Sequence, residues 1–90
     1  MLSTHNPLYI EFISKLRSAR RAEGLTQFAL GKLLKKPQAF VSKVERCERR
    51  LDLVEAAEWC FALGIPLEQV VPNALILKLE AAKARRRHSR

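Results

Sequence analysis

The chain has 90 residues, with 17 Lys or Arg against 9 Asp or Glu, a formal net charge of +8 at pH 7. That length admits one domain with a single core, and 48% hydrophobic residues are too many for a disordered chain. A cationic surplus of this size, with an isoelectric point near 10.2, points to a polyanionic partner, nucleic acid before an anionic membrane surface, with a plain solvated basic surface as the bland alternative.

The elements follow in chain order. Asn6-Pro7 reads as a helix start, Asn at the cap and Pro at the first helical position. Tyr9, Phe12, Ile13 and Leu16 then recur at helical spacing, and Gly24 supplies the left-handed stop, so a first helix is predicted over 7–23. Thr26 caps a second helix at 27–34 with Ala29, Leu30, Leu33 and Leu34 as its apolar stripe. Lys35-Lys36 is a tight turn. Pro37 opens a third helix, to about Arg46, with Phe40, Val41 and Val44 on its apolar face. Helices of two turns need tertiary packing to persist. Asp52 with Glu55 three residues on forms a capping box for a fourth helix, 53–63, carrying Val54, Ala57, Trp59, Cys60 and Phe61 and ended by Gly64. Pro66 opens a short fifth helix, 66–71. Residues 74–87 favour a helix by composition, although Leu75, Leu77 and Leu79 alternate as in a strand. The chain thus divides into a domain over 1–72 and a C-terminal extension with a basic tail over 73–90.

Several functions are disfavoured. Cys47 and Cys60 have no CxxC or Cys/His spacing, so no metal site and no cofactor is expected. No Ser/His/Asp, Cys/His, paired-carboxylate or phosphate-loop pattern is present, so an enzyme is not expected. His5 and His88 carry no motif, and Trp59 and Cys60 read as packing residues. The start Met-Leu-Ser-Thr-His lacks a leader pattern and no apolar run spans a bilayer. A cytoplasmic chain with reduced cysteines is expected.

The charge has a direction. Residues 15–50 carry Lys15, Arg17, Arg20, Arg21, Lys32, Lys35, Lys36, Lys43, Arg46, Arg49 and Arg50 against Glu23, Glu45 and Glu48, whereas 51–76 carry only acids; Arg85, Arg86, Arg87 and Arg90 return at the end. The basic stretch encloses the short helix, tight turn and short helix of 26–46. Leu30, Leu34, Val41 and Val44 face inward there, and small Gly31 lets the helices cross closely. The outward side of the third helix is left for a major groove.

In Gly-Leu-Thr-Gln (24–27), Pro-Gln-Ala-Phe-Val-Ser-Lys-Val-Glu (37–45), Glu-Arg-Arg-Leu-Asp (48–52) and Ala-Leu-Gly-Ile-Pro-Leu-Glu (62–68), in this order and spacing, the chain resembles the phage-repressor/Cro-type (XRE-like) helix-turn-helix regulators, from about Leu16 to Val71. The resemblance implies an all-α, five-helix lambda-repressor-like domain with a helical C-terminal extension. The chain departs from the family's usual residues at Gly31, where alanine is common, and at Lys35 and Cys47, where glycine is common. Either of the latter two in a left-handed conformation costs about 1 kcal/mol.

The resemblance also implies roles. Gln27 touches a phosphate from the start of the second helix. Gln38 pairs with adenine N6 and N7, Lys43 donates to guanine O6 or N7, and Ala39 and Phe40 meet thymine methyls, with Phe40 equally readable as core. Ser42 belongs to the same DNA-binding set. Lys36, Arg46, Arg49 and Arg50 contact flanking phosphates, or form a solvated charge run. Arg20 and Glu45 form a structural ion pair. One such helix reads few base pairs, and Ile65, Val71, Leu75, Ile76, Leu77 and Leu79 offer surface to bury against a second copy. The expectation is a homodimeric transcriptional regulator that reads a pseudo-palindrome in double-stranded DNA. The alternatives are an antitoxin that neutralises a toxin protein and controls its own operon, and a non-specific nucleic-acid binder driven by charge.

Overall fold

Asn6 closes the N-terminus of the first helix with its side-chain oxygen, which accepts the Leu8 N–H at 2.8 Å and the Tyr9 N–H at 3.4 Å. The computed structural model describes residues 5–88, so the first four residues and Arg90 of the basic tail lie outside the described residues. Helix α1 runs Pro7–Ala22, α2 Gln27–Leu34, α3 Gln38–Glu45, α4 Leu53–Leu63 and α5 Asn73–His88. The predicted fifth helix at 66–71 is one 3-10 turn, Leu67–Val70; Pro66 and Pro72 bracket too few residues for an α-helical turn to propagate. Pro37 is the cap of α3 and not its first residue.

The other termini form as their side chains dictate. Thr26 Oγ1 accepts the Ala29 N–H at 3.0 Å, and Asp52 and Glu55 exchange their hydrogen bonds in a complete capping box. Gly24 (φ 73°) and Gly64 (φ 72°) supply left-handed stops. Lys35 (φ 58°) and Cys47 (φ 60°) are left-handed without being glycine, a strain of about 1 kcal/mol each that the surrounding packing sustains.

The core sits where α1, α3 and α4 converge under α2. Leu16, Leu30, Val41, Val44, Trp59 and Val70 are fully buried, each contributing about 1.5–3 kcal/mol of apolar burial. The inward stripe of α4 is Ala56, Trp59, Cys60 and Leu63. Val54, Ala57 and Phe61, expected among its apolar contacts, are exposed instead (Phe61 87%), because α4 is apolar around most of its circumference and only one side can meet the core. Ile65, Val71 and Ile76, expected to be exposed, are half-buried; Ile65 packs on the chain's own core. Residues 73–88 are helix, and the strand-like alternation of Leu75, Leu77 and Leu79 becomes Leu75 and Leu79 on one side with Leu77 on the opposite one.

The α2–α3 turn depends on a residue without a side chain. Lys36 N–H donates to Gly31 O at 2.9 Å and Lys35 N–H to Lys32 O at 3.2 Å. This folds the turn back over α2 so closely that a Cβ on Gly31 would lie 2.8 Å from Lys36 O and 3.5 Å from Gln38 N. Backbone must then move. Gly31→Ala is expected to lower stability by about 1–2 kcal/mol, measured by chemical denaturation, despite alanine's better helix propensity. An unchanged or raised stability would show that the turn yields freely.

Candidate nucleic-acid interface

The site is built outward from a buried ion pair. Arg20 Nε and Nη2 meet Glu45 Oε2 and Oε1 at 2.7 and 2.9 Å, and Arg20 Nη1 donates to Leu25 O at 2.7 Å. Both side chains are nearly sealed from solvent, 8% and 3% exposed, and so lock α1 to α3 with the two-pronged geometry that guanidinium and carboxylate share. Glu45 Oε1 also accepts from Gln27 Nε2 at 3.0 Å, and Gln27 Oε1 accepts from Gln38 Nε2 at 3.5 Å, the long limit for such a bond.

This series sets amide orientation. An ionised carboxylate only accepts, so Gln27 must turn its NH2 to Glu45 and its oxygen outward. Gln38 must then turn its own NH2 toward that oxygen. A second N–H and the carbonyl oxygen of Gln38 remain, side by side, at the exposed N-terminal end of α3. Ala39 and Lys43 are exposed on the same short helix. Ser42 is half-buried, and its Oγ accepts from Arg46 Nη1 at 2.6 Å.

Phe40 departs from the thymine-contact reading. Its ring is half-buried and lies against Trp59, centroids 6.1 Å apart, with Lys36 Nζ and the Arg49 guanidinium over it at 5.4 and 5.0 Å. It is a packing residue that supports two cations at the edge of the site. Arg50 lies over the Tyr9 ring at 4.7 Å, and Tyr9 Oη accepts the Leu51 N–H at 3.1 Å, which anchors the loop carrying both arginines to α1. Arg46 pairs with Glu48 at 3.0 Å, both side chains more than half exposed, and such a pair is worth little in water.

Tyr9 and Glu55 are contributors that pattern reading missed as parts of this site. Glu55 was visible as a cap, but not as the partner of Arg49, whose Nη1 and Nη2 it receives at 2.8 Å each. The Arg49 guanidinium, together with the Asp52 backbone N–H, holds the Glu55 carboxyl down at about 2. A carboxyl depressed below its unfolded value contributes stability above the ordinary carboxylate range and loses it as pH falls from about 4.5 toward 2. Glu55→Gln is expected to flatten the stability-versus-pH slope in that window, read by urea denaturation at successive pH values. The same slope in both proteins would show that the pair is too well solvated to matter. Burial pushes the Cys47 and Cys60 thiols up, which keeps them protonated. Among the described residues no group of His, Cys, Asp and Glu could hold a metal ion, and no helix is long and apolar enough to cross a membrane.

Two short helices crossed at a tight turn, the second presenting an oriented amide on an open basic face, define a helix-turn-helix protein. No protein-family model and no curated protein matches the sequence, but solved structures do. An XRE-family-like protein from Pseudomonas syringae pv. tomato is 42% identical, over 87% of this chain and 89% of that one, with a TM-score of 0.68. The restriction-modification controller protein C.AhdI from Aeromonas hydrophila is 33% identical over 68% and 88%, with a TM-score of 0.63. The clp gene regulator ClgR from Corynebacterium glutamicum is 29% identical over 87% and 85%, with a TM-score of 0.67. The chain belongs to the XRE-like helix-turn-helix family.

Proposed function

We propose that this protein is a transcriptional regulator that binds double-stranded DNA sequence-specifically, as a homodimer, with α3 in the major groove. The observation that carries the reading is the hydrogen-bonded series Arg20–Glu45–Gln27–Gln38. A buried charge pair is spent there on orienting an exposed amide, which a charge-driven, non-specific binder does not need. The remaining Gln38 N–H and carbonyl oxygen match adenine N7 and N6 in the major groove. Lys43 on the same helix donates to guanine, Gln27 keeps one N–H for a phosphate beside the start of α2, and Ala39 leaves room for a thymine methyl. Lys36, Arg46, Arg49 and Arg50 flank the helix at phosphate positions, which fix register without specifying sequence. Two copies related by a two-fold axis read half-sites one helical turn apart, roughly 34 Å. The gene-regulatory roles named for C.AhdI and ClgR favour the same reading.

Selection of duplexes from a random library near physiological salt tests it. Wild type is expected to enrich a two-fold sequence, and Lys43→Ala to relax one guanine position per half-site by about 1–3 kcal/mol. Enrichment of no sequence, with binding that falls steeply in salt, would leave only electrostatic attraction.

A second reading, an antitoxin, is favoured by the exposed Leu33, Val54 and Phe61 beside Lys35 and Lys36, an apolar face for a protein partner. The neighbouring open reading frame, a toxin or a restriction enzyme, separates the two.

A further inference from the structure

Helix α5 leaves the body of the protein at Asn73 and is tied down where it starts. Asn73 N–H donates to Glu11 Oε2 at 3.0 Å, and Lys15 Nζ donates to Val71 O at 3.1 Å and to Asn73 Oδ1 at 2.7 Å. Beyond that first turn α5 has no extended packing against α1–α4 among the described residues. Yet its first two turns are rich in aliphatic side chains, Leu75, Ile76, Leu77 and Leu79. Leu75, Leu79 and Ala82 make one stripe at i, i+4, i+7, and Leu77, Ala81 and Ala84 make another on the opposite side. Leu77 is 69% exposed and Leu79 51%. A helix apolar on two sides is built to be covered on two sides.

Beside the start of α5 lies an apolar groove between α1, α4 and the 3-10 turn, lined by Tyr9, Phe12, Leu53, Ala56, Leu67 and Val71. Leu53 is 70% exposed at its edge. Leu75 also lines it, so the groove meets the first residue of the Leu75, Leu79 and Ala82 stripe.

We propose that the occupant of the groove is α5 of a second copy, the two chains exchanging their C-terminal helices about a two-fold axis. The inference rests on the homodimer reading above and names its interface. Charge favours it. From residue 51 to 77 the chain has acids and no lysine or arginine, with Asp52 exposed on the groove lining, whereas from 78 to 87 it has Lys78, Lys83, Arg85, Arg86 and Arg87 against Glu80. The one cation lining the groove, Arg50, lies over the Tyr9 ring. The meeting of groove and helix at Leu75 accounts for both stripes: a helix lying in the partner's groove meets the groove with one side and the partner's α5 with the other. Each chain brings one helix that lacks a groove and one groove that lacks a helix, so two copies close on each other and leave neither groove nor helix open for a third.

The test uses full-length chains. Leu53→Cys and Leu79→Cys are made in separate chains, at exposed positions where folding is retained, and mixed under mild oxidation. Wild type, whose Cys60 is buried and Cys47 half-buried, serves as the control, with sedimentation of wild type run alongside. A disulfide between a Leu53→Cys chain and a Leu79→Cys chain, in clear excess over either self-pairing, is the expected result. A dimer in which Leu79→Cys pairs only with itself would mean that the helices pack on each other and the groove stays open, overturning the exchange. A dimer with no cross-link would overturn it as well and leave the dimer standing. A monomer by sedimentation would remove the dimer reading and this inference together.

Discussion

Arg20→Met is expected to cost about 3–5 kcal/mol of folding stability, the usual penalty for leaving one member of a buried ion pair without its partner. Glu45 would keep only the Gln27 amide, in a setting where its carboxylate is 3% exposed, and the Leu25 carbonyl would lose its donor. A domain of this size has about 5–10 kcal/mol in total, so the melting temperature falls by about 15–30 °C. Arg20→Met with Glu45→Leu is expected to recover most of the loss, because an apolar pair needs no partners and the pair's own Coulomb gain is offset by desolvation. That double variant separates two roles. It folds, yet nothing now dictates which end of the Gln27 amide faces out, so its DNA preference weakens where its stability does not. A loss below about 1 kcal/mol in the single variant would show that water reaches the pair.

What could be read from the sequence was what short-range chemistry determines. Asn6, Thr26, Asp52, Gly24 and Gly64 mark their helix ends because a cap needs one residue type at one place. The Arg20–Glu45 contact was accessible only through the family resemblance, since no local rule pairs residues twenty-five apart. The readings that failed did so where tertiary packing decides. Val54 and Phe61 sit on a helix whose apolar positions outnumber the contacts available to it, and periodicity cannot say which side wins. Phe40 reads from the sequence as either thymine contact or core, and it is Trp59, on a different helix, that determines which way its ring turns. The exposed aliphatic surface was placed correctly at Leu75, Leu77 and Leu79 and wrongly at Ile65, Val71 and Ile76, which are half-buried; Pro66 and Pro72 turn the 3-10 segment back against α1. The orientation of Gln27 was beyond pattern reading altogether; it follows from a carboxylate whose position only the assembled α1, α2 and α3 determine.

That orientation leads to the second large effect, on binding and not on folding. Gln38→Ala is expected to weaken the selected site by about 1–3 kcal/mol per half-site, roughly 5- to 150-fold, with the loss confined to one adenine position. Gln27→Leu leaves Gln38 in place but removes the oxygen that receives its N–H. Gln38 can then present either end of its amide, and the adenine preference falls although the residue that reads it is unchanged. In the double variant little further is lost, because there is no longer an oriented reader to remove. A double-mutant cycle measured on wild-type and adenine-substituted duplexes is therefore expected to show a coupling of about 0.5–3 kcal/mol, present for the wild-type duplex and absent for the substituted one. Each variant would first be checked for native helicity, since Gln27→Leu also takes a donor from Glu45. If the two losses simply add, Gln27 acts on the backbone alone and Gln38 orients itself. Sequence reading would then lie in α3 without help from the buried pair, and the double variant Arg20→Met with Glu45→Leu should bind DNA as selectively as wild type.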